Sequence, residues 1–549
     1  MLRRTLAAIG AAVTLGAVLA GCSGHSTASS SDTSTLVMET TPLSPFLQNF
    51  NPFDTNGTAT EENAAGLIYE PLLQFNTMKP GTVYPWLARS YTFSPDGKTV
   101  TFDLRTDVKW SDGQSFTSQD AAFTFNMVKQ NKAINLYGIS PTSVSTPDSH
   151  TLVLGFDSPQ YTNLFYIGSV YMVPQHIWSS VGNPSTWADA QPVGTGPYKL
   201  GTFSSQGFTL TKVSTYWQPV KIQNVRFPSY VSNTTASLAL SRGEIDWAAN
   251  DIPNIEKTYV AADPEHNHYW FAPVNVVTLQ LNVTKAPLNN VAVRRAISAA
   301  IDRNQLSTIG ETGYEPPATS SGGLLLGGVD DKFLDPTLKN DLAQDKNKVS
   351  EILTAAGYTL TGGKWTDHSG NTIKFVLEDP SSYSDYFQDI SLIKDQLNAQ
   401  GFDVSVNGTT PDAWTADYNS GNFDATIHWG QQGPSPYYQY SNWLDSSITA
   451  PVGQTAAGDQ GRYNDANAQA ALAEYAGTND PATQQDALNK LQQIVAQQAP
   501  VIPLLYGAAW DEYSTKKFTG WPTKDDPYID PVANQPWDEY TVLHLQPVS

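Results

Sequence analysis

Residues 88–113 read ARSYTFSPDGKTVTFDLRTDVKWSDG, and this stretch indicates the fold more strongly than any other part of the chain. Tyr91 and Phe93 alternate with polar residues and lead into a Ser-Pro-Asp-Gly turn at 94–97. The apolar residues of 100–104 alternate with polar ones in the same way. This pattern predicts a β-hairpin with one buried face.

Helices and strands alternate on both sides of this hairpin. Short apolar runs at 375–377 and 426–429 are typical of buried strands. Three helices are predicted from their start signals, which are a Thr117-Asp120 capping box, Asn289 or Asn290 as a cap, and Asp480-Pro481 before a helix that Pro500 ends. The alternation favours α/β lobes.

The hairpin segment resembles the signature of the family 5 extracellular solute-binding proteins, which are receptors of peptide and oligosaccharide ABC importers. The positions that fit the signature are Leu87, Ala88, Ser90, Ser94, Asp96, Gly97, Phe102, Leu104, Arg105, Val108, Trp110, Asp112 and Gly113. Further segments fit the family in its order, namely 68–72, 194–198, 281–282, 293–297 and 300–303. Together these markers cover most of the chain after residue 36.

The resemblance implies an α/β, bilobal, hinge-closing fold with two main lobes and an additional domain inserted in the first lobe. The expected divisions are 36–66, 193–275 and 505–549 for the first lobe, 67–192 for the inserted domain, and 276–504 for the opposite lobe. Two segments near 274–276 and 502–504 are expected to connect the lobes. The lobes should close around a ligand by bending there.

The N-terminus predicts export and lipid attachment. Arg3 and Arg4 precede an apolar run that is too short to span a bilayer, which is typical of a signal peptide over 1–21. Leu-Ala-Gly-Cys at 19–22 is a lipobox, and Cys22 is the only cysteine of the chain. The alternative is an ordinary secretory signal with an incidental cysteine. Residues 22–35 are rich in Ser and Thr and predict a flexible tether.

The charge of the chain limits its partners. A formal net charge of -21 repels nucleic acid and anionic lipid headgroups. We therefore expect membrane contact through the lipid alone, in a monomeric protein anchored outside the cytoplasmic membrane. The expected partners are a small solute and the permease subunits of an ABC transporter.

The ligand site is expected in the aromatic-rich stretch 423–443, because ligands of α/β sheets bind at strand ends. In peptide-binding members of the family a Trp-x-x-Asp motif pairs with the ammonium group of the peptide, whereas Gln432 stands at this position here. Asp417 or Asp424 supplies a carboxylate if the alignment shifts. The predicted ligand-binding residues are Trp429, Gly430, Gln431, Gln432, Tyr437, Tyr438, Trp443 and Trp510. Trp270 and Trp414 are weaker candidates, since they are more typical of a lobe core.

Aromatic rings and amides without charge suit a sugar, so the sequence favours a short oligosaccharide, with an oligopeptide or dipeptide as the alternative. A secreted hydrolase and an adhesive lipoprotein are less favoured. The chain carries none of the common nucleophile, zinc-helix or phosphate-loop motifs. We predict no catalytic residue, cofactor or metal, although the loop 265–268 contains a His-x-His pair.

The lipobox generates a testable prediction. Cys22→Ser should leave the protein unprocessed or released from the membrane, because the serine hydroxyl cannot take the place of the acylated thiol. Membrane fractionation and intact-mass measurement check this, with Ser30→Ala in the tether as the matched control. A Cys22→Ser protein that is cleaved normally and stays membrane-bound would contradict it.

Overall fold

The computed structural model describes residues 33–41, 45–135, 137–250, 252–328, 330–431 and 433–548. The predicted signal peptide, Cys22 and most of the predicted tether lie outside these ranges. The first strand begins at Thr35, where the predicted tether ends. The chain from Thr33 onwards forms one compact unit.

The described strands are β1 (Thr35–Glu39), β2 (Leu73–Asn76), β3 (Thr82–Pro85), β4 (Ala88–Phe93), β5 (Thr99–Leu104), β6 (Ser143–Asp148), β7 (Thr151–Gly155), β8 (Tyr198–Ser204), β9 (Gly207–Lys212), β10 (Asn224–Pro228), β11 (Trp247–Ala248), β12 (Asn267–Tyr269), β13 (Ala272–Leu281), β14 (Thr359–Thr361), β15 (Lys364–Thr366), β16 (Lys374–Pro380), β17 (Asp403–Thr409), β18 (Ala425–Trp429), β19 (Val501–Ala509), β20 (Glu512–Ser514), β21 (Phe518–Thr519) and β22 (Gln546–Pro547).

The described α-helices are α1 (Thr58–Glu61), α2 (Ala65–Ile68), α3 (Ser118–Gln130), α4 (Leu164–Gly168), α5 (Gln175–Trp178), α6 (Asn233–Ser241), α7 (Ile255–Thr258), α8 (Val291–Ala300), α9 (Arg303–Gln305), α10 (Lys346–Ala355), α11 (Ser384–Ala399), α12 (Pro411–Ser420), α13 (Tyr437–Leu444), α14 (Ala466–Ala476), α15 (Pro481–Gln498) and α16 (Asp538–His544). Short 3-10 turns and one π turn supplement them at Val260–Ala262, Asp331–Phe333, Pro336–Leu338 and Leu306–Gly310.

Two large sheets form the two lobes, which confirms the predicted bilobal α/β fold. The seven-stranded sheet has the order β12-β20-β11-β1-β10-β9-β8, and we call the part built on it the first lobe. The five-stranded sheet has the order β17-β16-β18-β13-β19, and we call the part built on it the opposite lobe. A four-stranded antiparallel sheet, β4-β5-β7-β6, contains the signature hairpin. The exact domain boundaries given above stay a prediction.

The chain passes between the two large sheets through a pair of neighbouring strands. Two residues separate β12 of the first lobe from β13, and two residues separate β19 from β20. β13 and β19 pair antiparallel from Ala272↔Ala509 to Gln280↔Val501. The predicted connecting segments 274–276 and 502–504 lie within these two strands, which we call the hinge strands.

The structure confirms the hairpin and the helix caps that were predicted from local sequence patterns. β4 and β5 pair antiparallel, and Val100, Phe102 and Leu104 face the core. The Asp120 carboxylate accepts a hydrogen bond from the Thr117 backbone N–H at the start of α3, at 2.9 Å. The remaining caps also stand where they were predicted, with Asn290 at α8 and Asp480 at α15.

A buried hydrogen-bonded bridge joins three residues that are far apart in the sequence. The Tyr216 hydroxyl lies 2.8 Å from Oε1 of Glu70 and 3.1 Å from Oε1 of Glu539, and both carboxyl groups are completely buried. A phenol has one proton to donate, so two ionised carboxylates cannot both be satisfied by it. Trp217 and Gln74 donate further hydrogen bonds to Glu70 and Glu539 at 3.0 and 3.2 Å, but two ionised carboxylates around one phenol repel each other, so a proton on one of them stabilises the bridge.

The surroundings of this bridge favour the protonated form. The charged groups that face it are Arg105, which lies 3.7 Å above the Trp217 ring and lowers the pKa of Glu70, and Asp538, which raises the pKa of Glu539. Burial outweighs the arginine and raises the pKa of both bridge carboxyls. Burial also raises the pKa of Glu39 in the first lobe to about 8. At a pH above the ordinary pKa of a carboxyl group, the unfolded chain has released these protons. The folded protein still holds them, because its pKa values are raised.

The free energy of unfolding should therefore fall as the pH rises from about 5 to 8. The folded state binds more protons in this range, and each extra proton costs about 1.4 kcal/mol per pH unit. Glu539→Gln keeps an amide that can donate to Tyr216 and should reduce the slope, while Glu265→Gln at an exposed position should not. Urea unfolding at each pH measures this. Equal slopes for the wild type and the Glu539→Gln protein would contradict the assignment.

Candidate ligand-binding site

A cavity of about 740 Å³ lies where the hinge strands meet the end of β18. Its volume falls within the range of sites that bury a small ligand. The lining residues are Val274, Asn275, Tyr383, Tyr386, Trp414, Thr415, Tyr418, Asn419, His428, Trp429, Gly430, Gln431, Asn442, Ala457, Gln460, Ala508, Ala509, Trp510, Val532, Asn534 and Gln535.

The sheet of the opposite lobe explains why these residues meet. β16 and β18 are parallel, so their carboxyl ends lie at the same edge of the sheet. Tyr383 and Tyr386 follow β16. Trp429 is the last residue of β18, and residues 430–431 follow it. Ligands of α/β sheets bind at this kind of edge.

Stacked aromatic rings form one wall of the cavity. The rings of Tyr418 and His428 are 4.2 Å apart and nearly parallel, and the Trp414 ring is 5.3 Å from the His428 ring. Trp429 continues the stack at 4.4 Å from His428. The Trp429 side chain is 39% exposed, whereas Trp414 and Tyr418 are buried. Trp429 is thus the ring of this stack that is open to a ligand.

A second tryptophan reaches the cavity from the end of the hinge. Trp510 directly follows β19. Its ring packs edge to face against the rings of Phe271 and Tyr314, with centroid distances of 4.7 and 6.2 Å. Such contacts fix the orientation of a ring. The cavity therefore offers aromatic surface on the opposite-lobe side and on the hinge side.

Six carboxamide side chains line the cavity and make no hydrogen bond to any other described residue, and these are Asn275, Asn419, Asn442, Gln460, Asn534 and Gln535. Gln460 is only 8% exposed, so its amide is available almost solely to an occupant of the cavity. Buried polar groups normally have a partner, and an unpaired one costs free energy. The pattern indicates a ligand with many hydrogen-bonding groups.

The cavity carries no formal charge along its described lining, which includes no Asp, Glu, Lys or Arg. His428 is the one basic side chain there, and burial lowers its pKa to about 4, so it is neutral at pH 7. Asp424, considered above as a carboxylate donor, instead forms an ion pair with Lys285 at 3.2 Å. Neither Asp424 nor Asp417 lines the cavity.

The predicted ligand-binding residues separate into three groups. Trp429, Gly430, Gln431 and Trp510 line the cavity. Gln432 lies outside the described residues. The last group is buried and does not line the cavity, and it comprises Tyr437, Tyr438 and Trp443. Their assignment to the ligand site stays a prediction that the lining of this cavity does not support.

Several lining residues were missed or underrated in the sequence. Trp414 and Tyr418 are four residues apart in α12 and so share a helix face, a spacing that would have grouped them with the wall. Asn275, Gln460 and Asn534 carry no local pattern, because only the fold brings them to one cavity.

Tyr438 connects α13 of the opposite lobe to the predicted inserted domain. Its ring lies 5.1 Å from Phe165 and 5.3 Å from Tyr166, and its hydroxyl donates a hydrogen bond to the Thr162 carbonyl. Tyr437 beside it stacks on Tyr475 at 4.7 Å. The rings predicted to hold a ligand therefore hold two parts of the protein together.

The described part of the chain shows neither a cluster of three or more metal-ligating side chains nor a helix long and apolar enough to cross a bilayer. In the His-x-His loop, His266 bonds Asp263 at 2.9 Å.

Two lobes, a pair of hinge strands and a cavity beside them define a hinge-bending solute-binding protein. A structure of this kind is that of a periplasmic oligopeptide-binding protein of an ABC transporter from Thermotoga maritima, with mannohexaose bound. It has a TM-score of 0.82 and 24% sequence identity, and the match covers 94% of this chain and 99% of that one.

The sequence relatives agree with this class. The sequence-family model of the bacterial extracellular solute-binding proteins, family 5, matches residues 82–451. The chain therefore belongs to this family. The nickel-binding periplasmic protein of Escherichia coli (strain K12) is 26% identical over 85% of this chain and 87% of its own length. The glutathione-binding protein GsiB of the same strain is 26% identical over 86% and 89%. The protein is thus a substrate-binding protein of an ABC transporter, and members of this family are transport receptors rather than enzymes.

The contact of Tyr438 with 162–166 leads to a prediction about shape. Tyr438→Ala should destabilise the protein by about 3 to 5 kcal/mol, because a large buried ring is lost. It should also increase the radius of gyration in small-angle scattering, because the opposite lobe loses its hold on the inserted domain. Tyr137→Ala is the matched control, since Tyr137 stacks on the same Tyr166 but is 49% exposed. An unchanged radius for Tyr438→Ala would refute the connecting role.

Proposed function

We propose that this substrate-binding protein captures a short oligosaccharide outside the cytoplasmic membrane and delivers it to the permease of its ABC importer. The observation that carries the proposal is the uncharged cavity, in which six unpaired amides stand beside the open face of Trp429. We also propose that a lipid on Cys22 anchors the protein to the membrane and that it acts as a monomer.

A sugar matches both features of the cavity. The C–H face of a sugar ring is apolar and covers an aromatic side chain, while its hydroxyls donate and accept hydrogen bonds in the plane of the ring. Asn and Gln amides offer both donors and acceptors, so they pair with hydroxyls in either direction. Several stacked rings and a handful of such bonds can supply about 8 kcal/mol, a micromolar dissociation constant.

Peptides are the second candidate, because a relative that matches most of the chain is named for glutathione binding. A peptide brings an ammonium and a carboxylate group into the cleft. Burying either without a counter-charge costs several kcal/mol, and no described lining residue carries that charge. The cavity therefore favours the neutral ligand.

Calorimetry with cello-, manno- and xylo-oligosaccharides and with di- to pentapeptides tests the ligand class. We expect heat from at least one sugar series, and Trp429→Ala should weaken that binding by about 1 to 3 kcal/mol, roughly ten- to a hundredfold. Trp429→Phe keeps an aromatic face and should lose less. Tight binding of peptides with no heat from any sugar would overturn the proposal and show that the ligand is a peptide.

A further inference from the structure

The hinge strand β13 carries an irregularity at the cavity. Pro273 pairs with Ala508 and Asn275 with Gly507, so Val274 is an extra residue without a partner on β19. This is a β-bulge, a feature that re-aims side chains and is common beside binding sites. Both Val274 and Asn275 line the cavity.

The amide of Asn275 has no use within the described protein. Its oxygen is buried and accepts no hydrogen bond, and its nitrogen donates none to any described residue. Because neither end has a partner, the amide can turn over and present a donor or an acceptor to the cavity. A hydroxyl, which both donates and accepts, suits either orientation.

The strand opposite leaves room for this amide. A Cβ atom at Gly507 would lie 2.2 Å from Oδ1 and 3.0 Å from Cγ of Asn275. Only glycine at 507 therefore permits the observed position of the Asn275 side chain. The backbone of one hinge strand is thus shaped around an unpaired amide on the other.

We propose that Asn275 is a specificity-determining residue, which bonds a ligand hydroxyl directly from the hinge. This inference rests on the proposed function and adds to it a residue that discriminates among ligands. Stacking on Trp429 responds to any apolar ring face, whereas an amide bond depends on where a hydroxyl stands. Asn275 should therefore set the preference among sugars, and Trp429 their common affinity.

The test measures the affinities of cellotriose, mannotriose and xylotriose for the wild type and three single variants. Asn275→Ala should weaken the preferred triose by roughly five- to thirtyfold and bring the three affinities closer together. Trp429→Ala should weaken all three by similar factors. Asn347→Ala is the control, because Asn347 is an exposed amide in α10 that does not line the cavity. This substitution should change none of the three affinities.

A double-mutant cycle with Gly507→Ala makes the test sharper. The added methyl group should displace the Asn275 amide and weaken the preferred triose about as much as Asn275→Ala does. The double variant should bind no worse than Asn275→Ala, since the amide that the methyl displaces is already gone. Thermal unfolding verifies that each variant folds, and Asn275→Asp, which keeps the shape of the side chain, replaces Asn275→Ala if that variant does not.

The outcomes separate this inference from the proposed function. If Asn275→Ala keeps the affinities and the preference of the wild type, or if the two substitutions are additive, the role of Asn275 is overturned. If the wild type binds peptides and no triose, the oligosaccharide class fails, and the same variants are then titrated with the tightest peptide. A loss there upholds the role of Asn275, and an unchanged affinity overturns it. A wild type that binds neither panel overturns both.

Discussion

The antiparallel pairing of β13 with β19 is the constraint on which the rest of the site depends. It carries the chain between the lobes, and its register also places the ligand-facing residues, because β18 pairs with the other edge of β13 at Val277↔Trp429. A slip of one residue would turn every side chain of a strand to the opposite face of the sheet. The strand register, the β-bulge at Val274 and Gly507 together place Asn275, Trp429 and Trp510 around the same cavity.

The neutrality of the cavity extends beneath its surface. Asp379 lies below β18, where its carboxylate accepts hydrogen bonds from the Ile427 backbone at 3.0 Å and from the Thr426 hydroxyl at 3.2 Å. Burial raises its pKa to about 8, so this group is largely protonated at pH 7. The same solution, a buried acid kept neutral and hydrogen-bonded, is used in the bridge of Glu70, Tyr216 and Glu539. These buried acids are therefore kept neutral although the chain as a whole is strongly acidic.

Features set by neighbouring residues could be predicted from the sequence, and features set by the fold could not. The hairpin around 94–97 and the caps at Thr117 and Asn290 depend on residues within a few positions of each other, so their patterns are sufficient. The ligand-binding residues stay a prediction, but the prediction named 429–431, which line the cavity because they follow a strand. It also named Tyr438, which does not line the cavity, because an aromatic cluster in sequence does not distinguish a ring that faces a cavity from one that packs on Phe165. It missed Asn275 because an unpaired amide is recognised only when all its neighbours are known.

The contrast between the surface and the cavity bears on how the protein selects its solute. A net charge of -21 attracts cations to the molecule at long range, so electrostatic steering alone would favour ligands with an ammonium group. That attraction is screened by salt over roughly 10 Å and does not replace a partner inside a closed cleft. An ammonium group would lose its water on entry and find no carboxylate along the described lining. The proposed preference for a neutral solute thus rests on desolvation at the cavity, which acts in opposition to the field of the surface.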